Sequence, residues 1–390
     1  MSPVALVRPD HGYSHRPVSV GFLCSEYPTF QSAHGGIGSF VQTLAHALVE
    51  GGHRAAVFGF GDRDEDSSDG GVRLHMIRRR GPWSSIRTMQ RRLQGALCSG
   101  EIDVVESAES EAHCLPGGPG TIVRLHGSHH FWCATLSQPK RYGRLLLEQI
   151  AVRRAGGLCA VSQFAATVTR QSMGLGSRPI EVLSNPVDTA TFLPRPETVV
   201  KGSILFVGSI TEKKGVRELC ASMEHVTRRH PEATLSLVGR DVPGVNGVSS
   251  LRDDIGRGLP DAVRAATRFL GARPRSEVGR LMASAHVCVF PSYMETQGIV
   301  ILEALACGRP VVATSRGPGP EVLGPDGECG LLVNPTDPVD IAEKLGRILD
   351  DDDVAARMGE RGRRRAVELF SVPTCLHHNV TFYRRQSQHG

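Results

Sequence analysis

The chain has 390 residues, 40% apolar and 22% charged, with a formal net charge of +5; this leaves room for two or three ordinary globular domains and excludes a low-complexity chain. Only five of the 45 basic residues are Lys, an Arg bias that reflects genome composition more than a nucleic-acid partner, and none is expected. The ten Cys form no C-x-x-C pair, and Cys159, Cys288 and Cys307 sit inside apolar runs, so they read as reduced small hydrophobes in a cytoplasmic protein.

The opening "MSPVALVRPDHGYSHRP" lacks the apolar segment of a secretory leader, and no run of about 18 apolar residues predicts a membrane-spanning helix. Short apolar runs then alternate with helix-length amphipathic stretches. The runs are "VSVGFLC", "AAVFGFG", "VRLHMI", "IDVVES", "TIVRLHG", "LCAVS" and "IEVLS", and after them "ILFVGS", "TLSLVGR", "TRFLGA", "VCVFPS", "PVVATS" and "GLLVN". Runs of this kind separated by helices are buried parallel strands, and two sets of them predict two doubly wound, Rossmann-like α/β domains. The join falls near residues 185–203, which carry three prolines. The expected division is a first Rossmann-like domain over 1–195, a second over 196–370, and a C-terminal helix or tail over 371–390 that packs back on the first domain. Ligands bind at the carboxyl ends of such strands, so the two domains should enclose a cleft.

Several stretches along the chain carry weaker signals. "GIG" within "GGIGSF" is half a dinucleotide fingerprint that does not directly follow its strand. "DRDED" (Asp62–Asp66) contains a D-x-D of the kind that binds metal elsewhere, but reads here as a solvated turn, and no metal is expected. "WSSIRTMQRRLQGAL" puts Trp83, Ile86, Leu93 and Leu97 on one helical face beside several Arg; this is either a docked helix with a basic solvent face or a weak peripheral contact with anionic lipid. "ESAESEAH" follows a strand. Its Glu106, Glu109 and Glu111, with His129 further on, are candidates for a ligand site on the first domain's side of the cleft, where three carboxylates would attract an amine; the alternative is an acid-enriched helix start.

The stretch "ETQGIVILE" places Glu295 in a loop and Glu303 inside the following helix. Eight helical residues span about 12 Å. Carboxylates that share one glycosidic bond sit roughly 5–10 Å apart, so this pair suits a hydrolase poorly. A long ligand with hydroxyls at both ends, such as a nucleotide-sugar, fits better. Gly298, Ile299 and Val300 lie between, and free amides at a helix start favour a diphosphate.

"PSYMETQGIVILEALACGRPVVAT", "FVGSITEKKGV", "FLGARPRSEVGRLMASAHV", "VLSNPVDTATFLP", "GLLVNPTDPVDIAEKLGRIL" and "HGGIGSFVQTLAHALVEGGHRAAVFG" together resemble the retaining GT-B glycosyltransferases, family 4 in particular, over most of the chain. The resemblance implies a role for each matching residue. Glu295 would hold the donor sugar, Glu303 the ribose, and Lys214 the diphosphate. Gly35 and Gly36 would face the phosphate, and His126 would line the reacting centre. Two positions depart from the pattern: Ser209 stands where an Arg is usual, leaving Lys213, Arg240 or Arg273 to compensate, and Gln297 stands where an aromatic is common and would touch the donor sugar.

The expected activity is sugar transfer with retention from a UDP-linked donor, without metal or other cofactor. The acceptor is expected to be a small polar, in one reading aminated, molecule of a secondary-metabolite pathway such as antibiotic biosynthesis. The alternatives are a membrane-surface glycolipid or cell-envelope glycosyltransferase, and a catalytically weak nucleotide-sugar-binding homologue. Nothing in the sequence selects an oligomeric state.

Overall fold

In the computed structural model, residues 16–29, 36–242, 249–324 and 328–388 are described. The first half contains β1 (Ser19–Leu23), α1 (Gly36–Glu50), β2 (Arg54–Gly61), β3 (Glu65–Asp69), β4 (Val72–Arg78), α2 (Pro82–Cys98), β5 (Val104–Ala108), β6 (Gly118–Leu125), α3 (His129–Leu136), α4 (Tyr142–Arg154), β7 (Ala155–Ala160), α5 (Gln163–Met173) and β8 (Glu181–Val182). The second half contains β9 (Ser203–Val207), α6 (Val216–Arg229), β10 (Thr234–Val238), α7 (Leu251–Gly258), α8 (Asp261–Ala266), β11 (Thr267–Gly271), α9 (Arg275–Ser284), β12 (Val287–Phe290), α10 (Ile299–Ala306), β13 (Val311–Thr314), α11 (Gly319–Leu323), β14 (Gly330–Val333), α12 (Pro338–Leu349), α13 (Asp352–Arg365) and α14 (Val372–Ser387).

All thirteen apolar runs become strands. They form one sheet ordered β3-β4-β2-β1-β5-β6-β7-β8 and a second ordered β11-β10-β9-β12-β13-β14. Every pairing is parallel except β3 with β4, so helices cover both faces and the strands of each sheet centre are buried throughout. Helix boundaries follow their caps. Ser162 opens α5 by accepting from the Ala165 amide, Gly174 closes it in the left-handed region, and the Asp337 carboxylate opens α12.

Two local expectations need correction. "DRDED" is not simply a turn, because Glu65 and Asp66 begin an antiparallel edge strand, with Asp66 on His75 at 2.7 Å and Arg63 on Glu65 at 2.8 Å. The strand lacks apolar side chains, so hydrophobic patterning misses it; the "DGG" that follows, with Gly70 and Gly71 at φ 56° and 87°, is the hairpin signal. In α2 the buried stripe runs through Ser85, Met89, Leu93 and Ala96. Trp83 falls off its edge and stands 70% exposed.

The chain crosses between the domains twice. It leaves β8, passes Val187 and enters β9; it returns after α13 to place α14 against α1 and β6 of the first domain. The two crossings touch: Val187 donates its amide to the Phe370 carbonyl at 2.7 Å and bridges Ser371 in parallel. Among the described residues no helix is long and apolar enough to cross a membrane.

Candidate active site

The second domain supplies the charged half of the cleft. After β9 a short turn over Glu212–Lys214 ends at Gly215, whose φ is +67°. A Cβ there would lie 2.0 Å from the Pro291 carbonyl oxygen, so only glycine lets this turn sit against the loop that follows β12. The Tyr293 amide donates to the Lys213 carbonyl at 2.8 Å. The two loops, fixed together in this way, bring Lys214 Nζ to 2.5 Å from Glu295 Oε1, which also accepts from the Ser292 hydroxyl at 2.8 Å. Burial pushes the Glu295 carboxyl up, but the charge and hydrogen bond of Lys214, the Ser292 hydroxyl and Lys213 outweigh it and hold it below the usual carboxylate range.

Gly298 then turns into the left-handed region (φ 84°) and opens α10. The first helical bond runs from the Ile301 amide to the Gly298 carbonyl, so the amides of Ile299 and Val300 lie ahead of the hydrogen-bond ladder, at the positive end of the helix. One turn on, Glu303 is 5% exposed. Its Oε1 lies 2.7 Å from Arg275 Nη2. Burial pushes its carboxyl up to about 7, against the pull of Arg275. Sequence reasoning missed Arg275. It passed over the start of α9 in favour of Arg273, whose exposed guanidinium lies 3.7 Å from Glu277. Ser209 sits half-buried in the turn after β9, packed beside the turn that follows β10. Arg240, on that second turn, is exposed.

The first domain supplies the neutral half. Glu109, buried at the end of β5, accepts the backbone amides of His126 at 2.9 Å and Gly127 at 3.1 Å, and so fixes the loop that carries His126. Burial, reinforced by the nearby Arg124, drives the His126 imidazole down to about 3. It is therefore uncharged at neutral pH, packed 4.9 Å from the Phe40 ring. At Gly127 (φ 115°) the second domain packs against the loop: a Cβ there would meet the Thr296 methyl at 2.8 Å and, within the first domain, the Trp132 ring at 3.1 Å.

Other contacts clamp the same edge. The Ser162 hydroxyl donates to the Thr296 carbonyl at 2.5 Å. The amides of Gln163 and Phe164 donate to the Glu321 carboxylate at 2.8 and 2.6 Å. Lys213 Nζ lies 5.4 Å from the centre of the Trp132 ring, within cation–π range. Glu295, Lys214, His126 and the start of α10 are thus gathered on one cleft.

Other expected residues do not join them. Glu106 points into the first domain, not the cleft: it is 2% exposed and pairs with both Nε and Nη2 of Arg124 at 2.7 and 2.9 Å, with the Tyr383 hydroxyl donating to it from α14 at 2.9 Å. A buried guanidinium demands that carboxylate, which explains why Glu106 cannot serve an acceptor. Glu111 accepts the Ser25 amide at 3.0 Å. With Glu109 spent on the His126 loop, the triple carboxylate cluster that suggested an aminated acceptor does not form. Gln297 is also reassigned, because its Oε1 is taken by the Asn185 amide at 2.9 Å. It ties the α10 loop to the interdomain crossing and does not offer that oxygen to a sugar. His129 is buried, with Nε2 accepting the Arg141 amide at 3.0 Å. Gly36 is exposed at the start of α1; Gly35 lies outside the described residues.

Two family models match this chain, "Glycosyltransferase Family 4" over residues 34–191 and "Glycosyl transferases group 1" over residues 201–351. The chain is 32% identical over 63% of its length to the MMP alpha-(1->4)-mannosyltransferase of Mycolicibacterium hassiacum, spanning 57% of that protein. It is 27% identical to a GDP-mannose-dependent alpha-(1-6)-phosphatidylinositol monomannoside mannosyltransferase of Mycolicibacterium smegmatis, over 87% of this chain and 92% of that one. The fold superposes on Anabaena HepE, solved in complex with UDP, with a TM-score of 0.75, 19% identity, and 94% and 100% of the two chains covered. The matched stretches of several curated relatives span only about half of their length. With both halves matched by their own models and the two-domain GT-B architecture in place, the chain belongs to the group 1, family 4 glycosyltransferases.

Proposed function

We propose that the chain transfers a sugar from a UDP-linked donor to a hydroxyl of a small polar acceptor, with retention at the anomeric carbon. The observation that carries this reading is the Lys214–Glu295 pair, set beside the free amides of Ile299 and Val300. A diphosphate laid on those amides would place its charge against Lys214, and a donor running along α10 would reach Glu303 with its ribose hydroxyls. As the bond from C1 to the diphosphate oxygen breaks, a bond from C1 to the acceptor oxygen forms on the same face, and the acceptor proton passes to the departing phosphate oxygen. Lys214 and the amides stabilise the charge that develops there. Glu295 holds the sugar hydroxyls, and the neutral His126 can exchange a hydrogen bond with the sugar without repelling a cationic transition state. No step requires a metal, and residual activity in EDTA is the expected result. The donor named by the Mycolicibacterium smegmatis relative is GDP-linked, whereas HepE was solved with UDP; a thermal-shift comparison of UDP, GDP and their sugars decides the base. A ligand at 100 times its dissociation constant adds about 2.7 kcal/mol. No stabilisation by any nucleotide would sink the reading, and an inverted product would sink retention.

A second reading, transfer to a glycolipid at a membrane surface, is favoured by α4. There Tyr142, Leu146 and Ile150 stand 76%, 58% and 44% exposed along one stripe, with Lys140, Arg141, Arg153 and Arg154 at its two ends. Co-flotation with anionic liposomes favours this acceptor over a secondary metabolite.

A further inference from the structure

Lys213 stands apart from the other cations around the site. Lys214 is held by Glu295, Arg275 by Glu303, and Arg273 faces Glu277. Among the described residues the Lys213 ammonium has neither a carboxylate nor a hydrogen-bond acceptor, although its three protons can only donate. Its Nζ lies instead 5.4 Å from the centre of the Trp132 ring, which belongs to the other domain. The turn therefore carries two adjacent ammoniums against the single carboxylate of Glu295. Burial lowers the Lys213 pKa, the charge of Lys214 lowers it further, and Glu295 opposes both. The backbone of Lys213 is fixed, since its carbonyl accepts the Tyr293 amide at 2.8 Å, but its side chain remains exposed and nothing traps it on the ring. A cation–π contact at an exposed site is weaker than a hydrogen bond between charged groups. An anion brought to this turn would win the ammonium from the ring.

We infer that Lys213 is an exchangeable ligand of the donor diphosphate: in the donor-free cleft Trp132 of the first domain holds its ammonium, and the diphosphate draws it off the ring to lie beside Lys214. Ser209, on the turn after β9, brings no charge. Of the three cations that the sequence left to compensate, Arg240 is exposed on the next turn and Arg273 already sits beside Glu277; Lys213 is the one that shares a turn with Lys214 and feels both its charge and that of Glu295. The inference rests on the transferase reading above and divides the labour within it. Lys214 serves the charge that develops as the sugar leaves, and Lys213 serves the binding of the intact diphosphate.

The chain has two tryptophans, Trp83 and Trp132, and the first stands 70% exposed on α2, so Trp83→Phe leaves one indole to report on the contact. Titrating UDP into that protein should change the Trp132 emission as the ammonium leaves the ring, and adding Lys213→Met should remove the change. By calorimetry, Lys213→Met should weaken UDP about tenfold, the value of one charge-assisted hydrogen bond, and should leave uridine, which has no phosphate, unaffected. Lys213→Arg should keep most of the UDP affinity. Lys213 has no ion pair to lose and its backbone contact with Tyr293 survives, so folding should be preserved, and the uridine affinity checks this. Should the thermal-shift comparison select GDP, GDP and guanosine take the places of UDP and uridine. Equal nucleotide binding by wild type and Lys213→Met overturns the inference, as does an emission that the nucleotide leaves unmoved or that still changes in Lys213→Met. Parallel losses of UDP and uridine would make Lys213 a structural residue and overturn it too. Those outcomes leave the transferase reading standing, whereas a wild type that binds neither UDP nor GDP would sink that reading itself.

Discussion

Two stretches at strand ends, 106–111 in the first domain and 295–303 in the second, look alike in sequence: each is short and glutamate-rich, and each lies at or just beyond the carboxyl end of a buried parallel strand. In the structure they do opposite work. Glu106 and Glu109 face inward, one paired with a buried Arg and the other with two backbone amides. Glu295 and Glu303 sit beside cations that are themselves partly exposed, Lys214 and Arg275. A carboxylate whose cation is fully buried serves the fold, while one whose cation still reaches solvent can exchange that partner for a ligand.

This contrast can be broken by mutation, and the largest effect falls on the inward loop. Glu106→Ala leaves Arg124 buried without its carboxylate and should lower unfolding free energy by about 3–5 kcal/mol in denaturant titration. An unchanged stability with a raised acceptor KM would return Glu106 to the cleft. In the outward loop, Lys214→Ala should raise the barrier at saturating donor by roughly 3–4 kcal/mol, the usual cost of removing a charge-stabilising donor from an enclosed site. Ser209→Arg should recover part of that loss by supplying a guanidinium from the neighbouring turn. A Lys214→Ala loss under tenfold would show that another cation serves the diphosphate.

Glu303→Ala should weaken donor binding by about 1.5–3 kcal/mol while turnover at saturation persists; the reverse pattern would remove Glu303 from the ribose. The smallest effect is a pH dependence. His126 titrates near 3 when folded and near 6.5 when unfolded, so below 6.5 the unfolded chain takes up a proton that the folded site refuses. Stability present above pH 6.5 is therefore lost as pH falls toward 3. Between pH 7 and pH 5 the wild type should lose about 1–2 kcal/mol more than His126→Gln. Taking the difference between the two proteins cancels Glu109 and Glu303, whose raised carboxyls act in the opposite sense. Parallel pH curves would mean that His126 keeps its ordinary pKa in the cleft and takes up a proton there as readily as in the unfolded chain.

The strands were legible because burying both faces of a parallel sheet requires unbroken apolar runs, and no loop here imitates them. The sheet edge was not, because β3 places polar side chains on both faces. Glu295 and Lys214 could be found because each lies in a motif a few residues long. The fate of Glu106 could not, since the partners that claim it, Arg124 and Tyr383, lie 18 and 277 residues away. Gln297 misled for the same reason, as the backbone amide that takes its oxygen is 112 residues distant. Gly215 and Gly127 sat in plain view, but only the approach of a second loop or domain shows why no side chain fits there.

The paired crossings at Val187 and Ser371 have a mechanical consequence. Two chain segments that pass side by side and hydrogen-bond to each other resist shear and twist, so they leave the domains one easy rotation, about an axis through that pair. Closure then becomes a lever. Asn185–Gln297, two residues from the axis along the chain, would move least as the cleft opens, and the clasp of Glu321 on the Gln163 and Phe164 amides would travel farther. Distance measurements between spin labels beside each contact, with and without UDP, should show unequal excursions; equal ones would mean that the domains slide past each other. A stiff pin of this kind lets a substrate entering far from it work at high mechanical advantage, so that small energies at the Glu321 clasp set the angle of the whole cleft.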